Sequence, residues 1–108
     1  MEAIYHIAQR SDWEQALGDG EYTISTRGRT LAEQGFIHCS TASQVDRVAS
    51  YIYKGVPDLV LLVIDPARVT ATIQYDDVPG EPDPYPHIYG PLNTDAVTEI
   101  KPFEAPVS

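Results

Sequence analysis

Three histidines, His6, His38 and His87, each sit in a short run of apolar and aromatic residues, "IYHIA", "FIHCST" and "YPHIYG". An imidazole changes charge near neutral pH, can donate or accept a hydrogen bond, and serves as general base or metal ligand. Gathered beside Ser40 and Tyr89, the three would form a polar pocket able to hold a small ligand or move a proton. Any one alone is more often a half-buried side chain satisfied by a backbone carbonyl. The functional reading therefore depends on convergence.

Other candidates are weaker. The histidines lie 32 and 49 residues apart with no local pair such as H-x-x-x-H, so the spacing gives no support for zinc and no metal is expected. Cys39 beside His38 invites a thiolate nucleophile. Strand alternation instead puts Cys39 with Ile37, on the face opposite Phe36, His38 and Ser40, where it packs as a small hydrophobe. Ser40 lacks a G-x-S-x-G turn to raise its hydroxyl or build an oxyanion hole. Arg27 and Arg29 in "STRGR" could meet a pyrophosphate with their guanidinium forks, against the competing reading of a solvated surface turn. There is neither a G-x-G-x-x-G nor a P-loop. The acidic run Asp76, Asp77, Glu81 and Asp83 lacks calcium-loop spacing and reads as a solvated face, one member of which could edge the pocket.

The elements that must position these residues follow from local patterns. "EAIYHIA" reads as a strand with Ile4 and His6 on one face. Ser11 with Glu14 forms a capping box for a helix over Asp12 to Leu17 that Gly18 stops, and Thr30 with Glu33 opens a single turn that Gly35 ends. "EYTIS" is a brief strand and "STRGR" a loop. Thr41 with Gln44 begins a helix whose Val45, Val48, Ala49 and Ile52 make one buried stripe. "LVLLVI" suits a strand covered on both faces. "VTATIQY" alternates with Val69, Ala71, Ile73 and Tyr75 toward the core. "DPYPHIYGPLN" reads as a stiff, shaped loop, because each proline fixes its own φ and extends the residue before it; alternation sets His87 and Tyr89 on one face. "AVTEIKPF" closes the sheet. Together these predict an α+β fold of about six strands in a compact mixed or split sheet with two helices.

Composition bounds the function. A chain of 108 residues matches one domain, 1–108, with a tail loose from about residue 104. Sixteen acidic against seven basic residues give a net charge of −9, which repels phosphate backbones and argues against general nucleic-acid binding. The longest apolar run is far shorter than the roughly 20 residues of a membrane span, and no basic and apolar leader opens the chain. One cysteine excludes an internal disulfide and agrees with a reducing cytoplasm.

Taken in order, "IYHIA", "GFIHCST" and "YPHIYGPLN" resemble the domain-of-unknown-function family 952 of short bacterial and plant proteins, over nearly the whole chain. That family is grouped by distant similarity with the ADP-ribosyltransferase-like fold, a split β-sheet that clasps NAD in a central cleft. The resemblance implies a nucleotide ligand such as NAD and glycosyl transfer or hydrolysis at the bond between ribose and nicotinamide. His6 is similar to a first-strand histidine that holds a ribose hydroxyl, and Tyr89 or Tyr75 to an aromatic residue that stacks on nicotinamide. It implies catalytic roles for His6, His87 and Tyr89 and a cleft lined by His38 and Ser40, with Arg27 or Arg29 on the pyrophosphate. No glutamate stands at an obvious third-motif position; His87 or Asp76 could substitute. A non-catalytic ligand-binding or protein-interaction domain using the same cleft is the alternative.

Overall fold

The apolar run Leu59–Ile64 forms β6, the central strand of a three-stranded antiparallel sheet between β1 (Ile4–Gln9) and β10 (Val97–Phe103). Both faces of β6 are occupied, as a continuous apolar strand requires. Val60, Leu62 and Ile64 enter one core cluster with Ile4, Trp13, Ile37 and Ile88. Leu59 and Leu61 face a second cluster built on Ile7, Val45, Val48 and Tyr85. Burying each such aliphatic side chain contributes roughly 1.5–3 kcal/mol.

This computed structural model describes residues 2–105. A second antiparallel sheet has the order β5 (Ile37–His38), β8 (Tyr85–Tyr89), β7 (Thr72–Asp76). Among the described residues a single backbone bridge, Tyr5 with Ser40, connects the two sheets. Two ribbons complete the strands: β2 (Glu21–Tyr22) with β9 (Leu92–Asn93), and β3 (Ile24–Thr26) with β4 (Arg29–Thr30). The helices are α1 (Arg10–Asp19), α2 (Leu31–Gln34) and α3 (Val45–Ile52). The α+β class is as expected; the architecture is several small antiparallel sheets and three α-helices, not one sheet of six strands with two. The radius of gyration, 12.7 Å, is close to the roughly 13 Å of a compact chain of this length.

Several local expectations hold. Thr30 and Glu33 form the full capping box of α2, and Gly35 ends it at φ 86°. In α3 the stripe Val45, Val48 and Ala49 is buried, with Ile52 partly so. Others are corrected. Helix α1 begins at Arg10, directly after β1, with Gln9 at its cap and no side-chain cap bond, so Ser11 caps nothing. The cause is tertiary: Gln9 is paired with Leu59 and the Arg10 N–H donates to the Asp58 carbonyl, which fixes the entry one residue before Ser11. Gly18 lies inside the helix, and Gly20 in the left-handed region ends it. Thr41 caps only in part: Gln44 Oε1 accepts from the Thr41 N–H, and α3 starts after Gln44 itself. "STRGR" is mostly a hairpin, not a loop, turning at Gly28. Tyr75, expected on the core side, is 54% exposed: it stands on the edge strand β7 and lines an open groove with Glu2, Ala71 and Ile73.

The stretch expected as a stiff loop is chiefly strand. Tyr85–Tyr89 is the centre of the second sheet although it contains Pro86. A proline inside a central strand removes a ladder donor, but the Pro86 carbonyl still accepts from the Cys39 N–H at 2.9 Å. Gly90 follows where a methyl group would stand 2.8 Å from Ala71 Cβ. The loose tail expected from about residue 104 falls mainly on 106–108, which lie outside the described residues; Ala105 is buried.

Candidate functional site

Register in the second sheet makes the site. His38 of β5 lies opposite His87 of β8, which lies opposite Gln74 of β7, and Asp76 lies opposite Tyr85. Side chains alternate across a strand, so one face of this sheet carries Ile37, Cys39, Pro86 and Ile88, all buried. The other face carries Phe36, His38, Gln74, Asp76, Tyr85, His87 and Tyr89.

On that second face the polar groups are joined in a line. His87 Nδ1 lies 2.8 Å from Asp76 Oδ2, and His87 Nε2 lies 3.2 Å from His38 Nδ1. The Tyr89 hydroxyl donates to the same Asp76 oxygen, and Gln74 Nε2 donates to Asp76 Oδ1 at 2.6 Å. These donors, Tyr89 first and then Gln74, hold the Asp76 carboxyl down at about 2. Phe36 stacks on the His87 ring with centroids 4.0 Å apart and planes 14° from parallel. His87 is thereby buried and fixed in orientation.

His6 belongs to the line but not to its open end. It is buried in the core, with Nδ1 2.7 Å from the His38 carbonyl and Nε2 2.9 Å from the Tyr22 hydroxyl. Both ring nitrogens are therefore engaged. Burial pushes its pKa down from 6.5 to about 4, with the His38 carbonyl acting the other way. His38 is also lowered to about 4, first by burial and then by its two histidine neighbours, while Glu81 opposes the shift.

His38 opens on a concavity of about 170 Å³ lined by Tyr51, Ile52 and Val48 of α3, by Val78, Pro79 and Glu81 of the loop between β7 and β8, and by Tyr85. Glu81 is clamped there. Arg47 donates to it through Nε at 2.7 Å and Nη2 at 3.0 Å, and Tyr85 donates its hydroxyl. Arg47 and Tyr85 hold the Glu81 carboxyl below its usual range; burial and then Glu81 push the Tyr85 phenol up to about 12. Arg47 also lies over the Tyr51 ring, 5.3 Å from its centroid.

The remaining candidates are spread around this centre. Ser40 is buried and its backbone bridges to Tyr5. Arg27 Nη1 donates to the Ile52 carbonyl at 2.9 Å, which holds it beside the concavity at the end of α3; Arg29 is exposed on β4. Tyr89 lines a separate groove of about 530 Å³ with Asp19, Thr70, Gly90 and Asn93. Cys39 is buried in the core and its thiol is pushed up by burial. Among the described residues no group of three His, Cys, Asp or Glu side chains is placed to hold a metal ion, and no helix is long and apolar enough to cross a membrane. Sequence reasoning missed Tyr85 and Tyr51 as site residues and placed Glu81 only within the acidic run, one member of which was to edge the pocket. Tyr85 was accessible to it, standing two residues before His87 on the same strand face.

Fold and site define an α+β protein with a histidine-centred concavity at the edge of a small antiparallel sheet. The chain belongs to the family described as a protein of unknown function, DUF952, whose model matches residues 7–100. It is similar to the crystal structure of protein CC0527 from Caulobacter crescentus, with 27% identity and a TM-score of 0.83 over 94% of this chain and 86% of that one. The solution structure of CC0527 gives 28% identity and a TM-score of 0.78 over 96% and 86%. No curated protein matches the chain.

Proposed function

We propose that this chain binds a nucleotide, NAD first among candidates, with one ring or sugar seated in the His38 concavity, and that it acts there as an ADP-ribosyltransferase-like or NAD glycohydrolase-like enzyme. The observation that carries this reading is the line from Asp76 through His87 to His38, ending on an aromatic-walled concavity. At about 170 Å³ the concavity is smaller than the roughly 300–1,000 Å³ of pockets that enclose a whole drug-sized ligand. It suits one ring, with the rest of the ligand along the surface toward Arg27, which is available to a pyrophosphate.

Two further features support it. The two sheets meet through one bridge at Tyr5 and Ser40, which is compatible with a split sheet. Glu81 supplies a carboxylate on the concavity wall, where an oxocarbenium-like charge would be stabilised, a residue for which the sequence offered no obvious candidate. His6 acts through His38, holding the carbonyl of that residue in place. The non-catalytic reading is favoured by a different observation: the Asp76 and Glu81 carboxylates both accept several hydrogen bonds already.

Incubation of the protein with NAD, followed by chromatography for free nicotinamide, tests the proposal. Release above the blank that is lost in His38→Ala and Glu81→Gln is expected. Saturable binding without release favours the binding domain, and no binding at millimolar NAD or ADP-ribose overturns the nucleotide reading.

A further inference from the structure

We infer that, while both imidazoles are uncharged, Asp76 sets the direction of the hydrogen-bond line through His87 and His38, so that His38 presents a bare Nε2 to the concavity and the site takes a ligand group that donates, a hydroxyl or an amide N–H. The ligand class rests on reading the His38 concavity as the binding site; the direction of the line does not.

The direction follows from what each group can do. An ionised carboxylate only accepts, so Asp76 receives the Nδ1–H of His87 at 2.8 Å. A neutral imidazole has one N–H and one lone pair, so neutral His87 has a lone pair on Nε2. That atom accepts, and the donor 3.2 Å away is Nδ1–H of His38. Neutral His38 then carries its own lone pair on Nε2, for which the described residues supply no hydrogen-bond partner. Nor is Nε2 among the fully buried unpaired atoms, which are Trp13 Nε1, Ser25 Oγ and Thr26 Oγ1.

The neighbouring bonds run to the His38 backbone and leave this direction unopposed. The His38 carbonyl accepts from His6 Nδ1–H, which leaves His6 Nε2 to accept the Tyr22 O–H. Around the open nitrogen of His38 stand Glu81, which accepts from Arg47 and Tyr85, and the aromatic and aliphatic walls. A ligand carboxylate or phosphate oxygen would face a lone pair and a carboxylate there. A ribose hydroxyl or a carboxamide N–H would find an acceptor.

Asp76→Ala tests the device by removing the acceptor. Oδ2 takes two donors, the Tyr89 hydroxyl and His87 Nδ1, against the one Gln74 donor on Oδ1, so an asparagine would satisfy its neighbours with its oxygen toward His87 and leave the tautomer in place, whereas alanine offers no acceptor. Nothing then retains the proton on His87 Nδ1, and the two imidazoles relax toward the Nε2–H form that a free neutral imidazole prefers, with the His38 Nε2–H facing the concavity. Asp76 is a positioning residue, and the readout is the tautomer, which a merely structural role would not shift.

Long-range ¹H–¹⁵N spectra of the imidazoles at about pH 8, above the ordinary histidine range, are expected to show Nδ1–H in both His38 and His87. In Asp76→Ala the share of Nε2–H is expected to rise in both. Tyr89→Phe, which leaves the carboxylate in place, should keep the original tautomers. Wild-type His38 with its proton on Nε2 overturns the inference by itself, so a variant that does not fold cannot protect it; unchanged tautomers in folded Asp76→Ala also overturn it. For the ligand class, nicotinamide should bind roughly two- to tenfold tighter than 3-acetylpyridine, which lacks the N–H donor, and the preference should shrink in Asp76→Ala. Equal affinity for the two probes overturns the donor class. If millimolar nicotinamide leaves His38 Nε2 unmoved while the tautomers hold, the ligand class falls with the site reading and the direction of the line stands.

Discussion

His6 and His38 are joined by one hydrogen bond yet are used in opposite ways. His6 spends both ring nitrogens inside the core, on the His38 carbonyl and the Tyr22 hydroxyl. His38 spends one, on His87, and keeps the other at the wall of a concavity. Burial keeps both neutral, so pKa alone does not separate them. The difference lies in unspent hydrogen-bonding capacity, which turns a structural imidazole into a site.

The largest expected effect breaks the closed end. His6→Ala strands two buried groups and opens a cavity, which should cost about 3–5 kcal/mol and lower the melting temperature by roughly 15 °C or more. His38→Ala strands one buried group, His87 Nε2, and should cost less, about 1–3 kcal/mol, while removing any ligand response. Equal losses in thermal melts of the two variants would erase the distinction.

Acid comes next. The folded pKa of His6 is about 4 against 6.5 as the ordinary value, so between these values the unfolded chain binds more protons than the folded one. Stability must therefore be fully present above about pH 6.5 and fall as pH drops toward 4, with His6 accounting for about 3 kcal/mol. Melts across this range check the sign; a flat profile contradicts a buried neutral His6.

Smaller effects separate helix ends that look alike in sequence. Thr30→Ala removes a formed capping box and should cost about 1 kcal/mol. Ser11→Ala removes no cap bond and should stay within about 0.5 kcal/mol. Urea midpoints with an unchanged slope measure both; a larger loss at Ser11 would contradict the observed start of α1.

Much of this fold was legible because it is local. The α3 stripe, the doubly covered β6 and the Thr30 box follow from spacing within a few residues. The start of α1 was not, because the pairing of Gln9 with Leu59 and the bond from Arg10 to Asp58 are contacts across about 50 residues. The shared face of Phe36 and His38 follows from alternation and holds, with both against His87, whereas Ser40 lies beyond β5 and bridges to Tyr5 of the other sheet. The particular partners were not legible: the acidic run offers four carboxylates as candidates for the pocket edge, and only strand register and Arg47 single out Asp76 and Glu81. Register is a long-range property, and a stiff proline-rich stretch gives no local sign that it becomes a central strand.

The most direct test of the central claim is an NMR titration of the three imidazoles with NAD and ADP-ribose. Shifts concentrated at His38, with His87 following and His6 nearly still, are the predicted result; no movement of His38 at millimolar ligand, or equal movement of His6, would contradict a ligand site at the open end of the line.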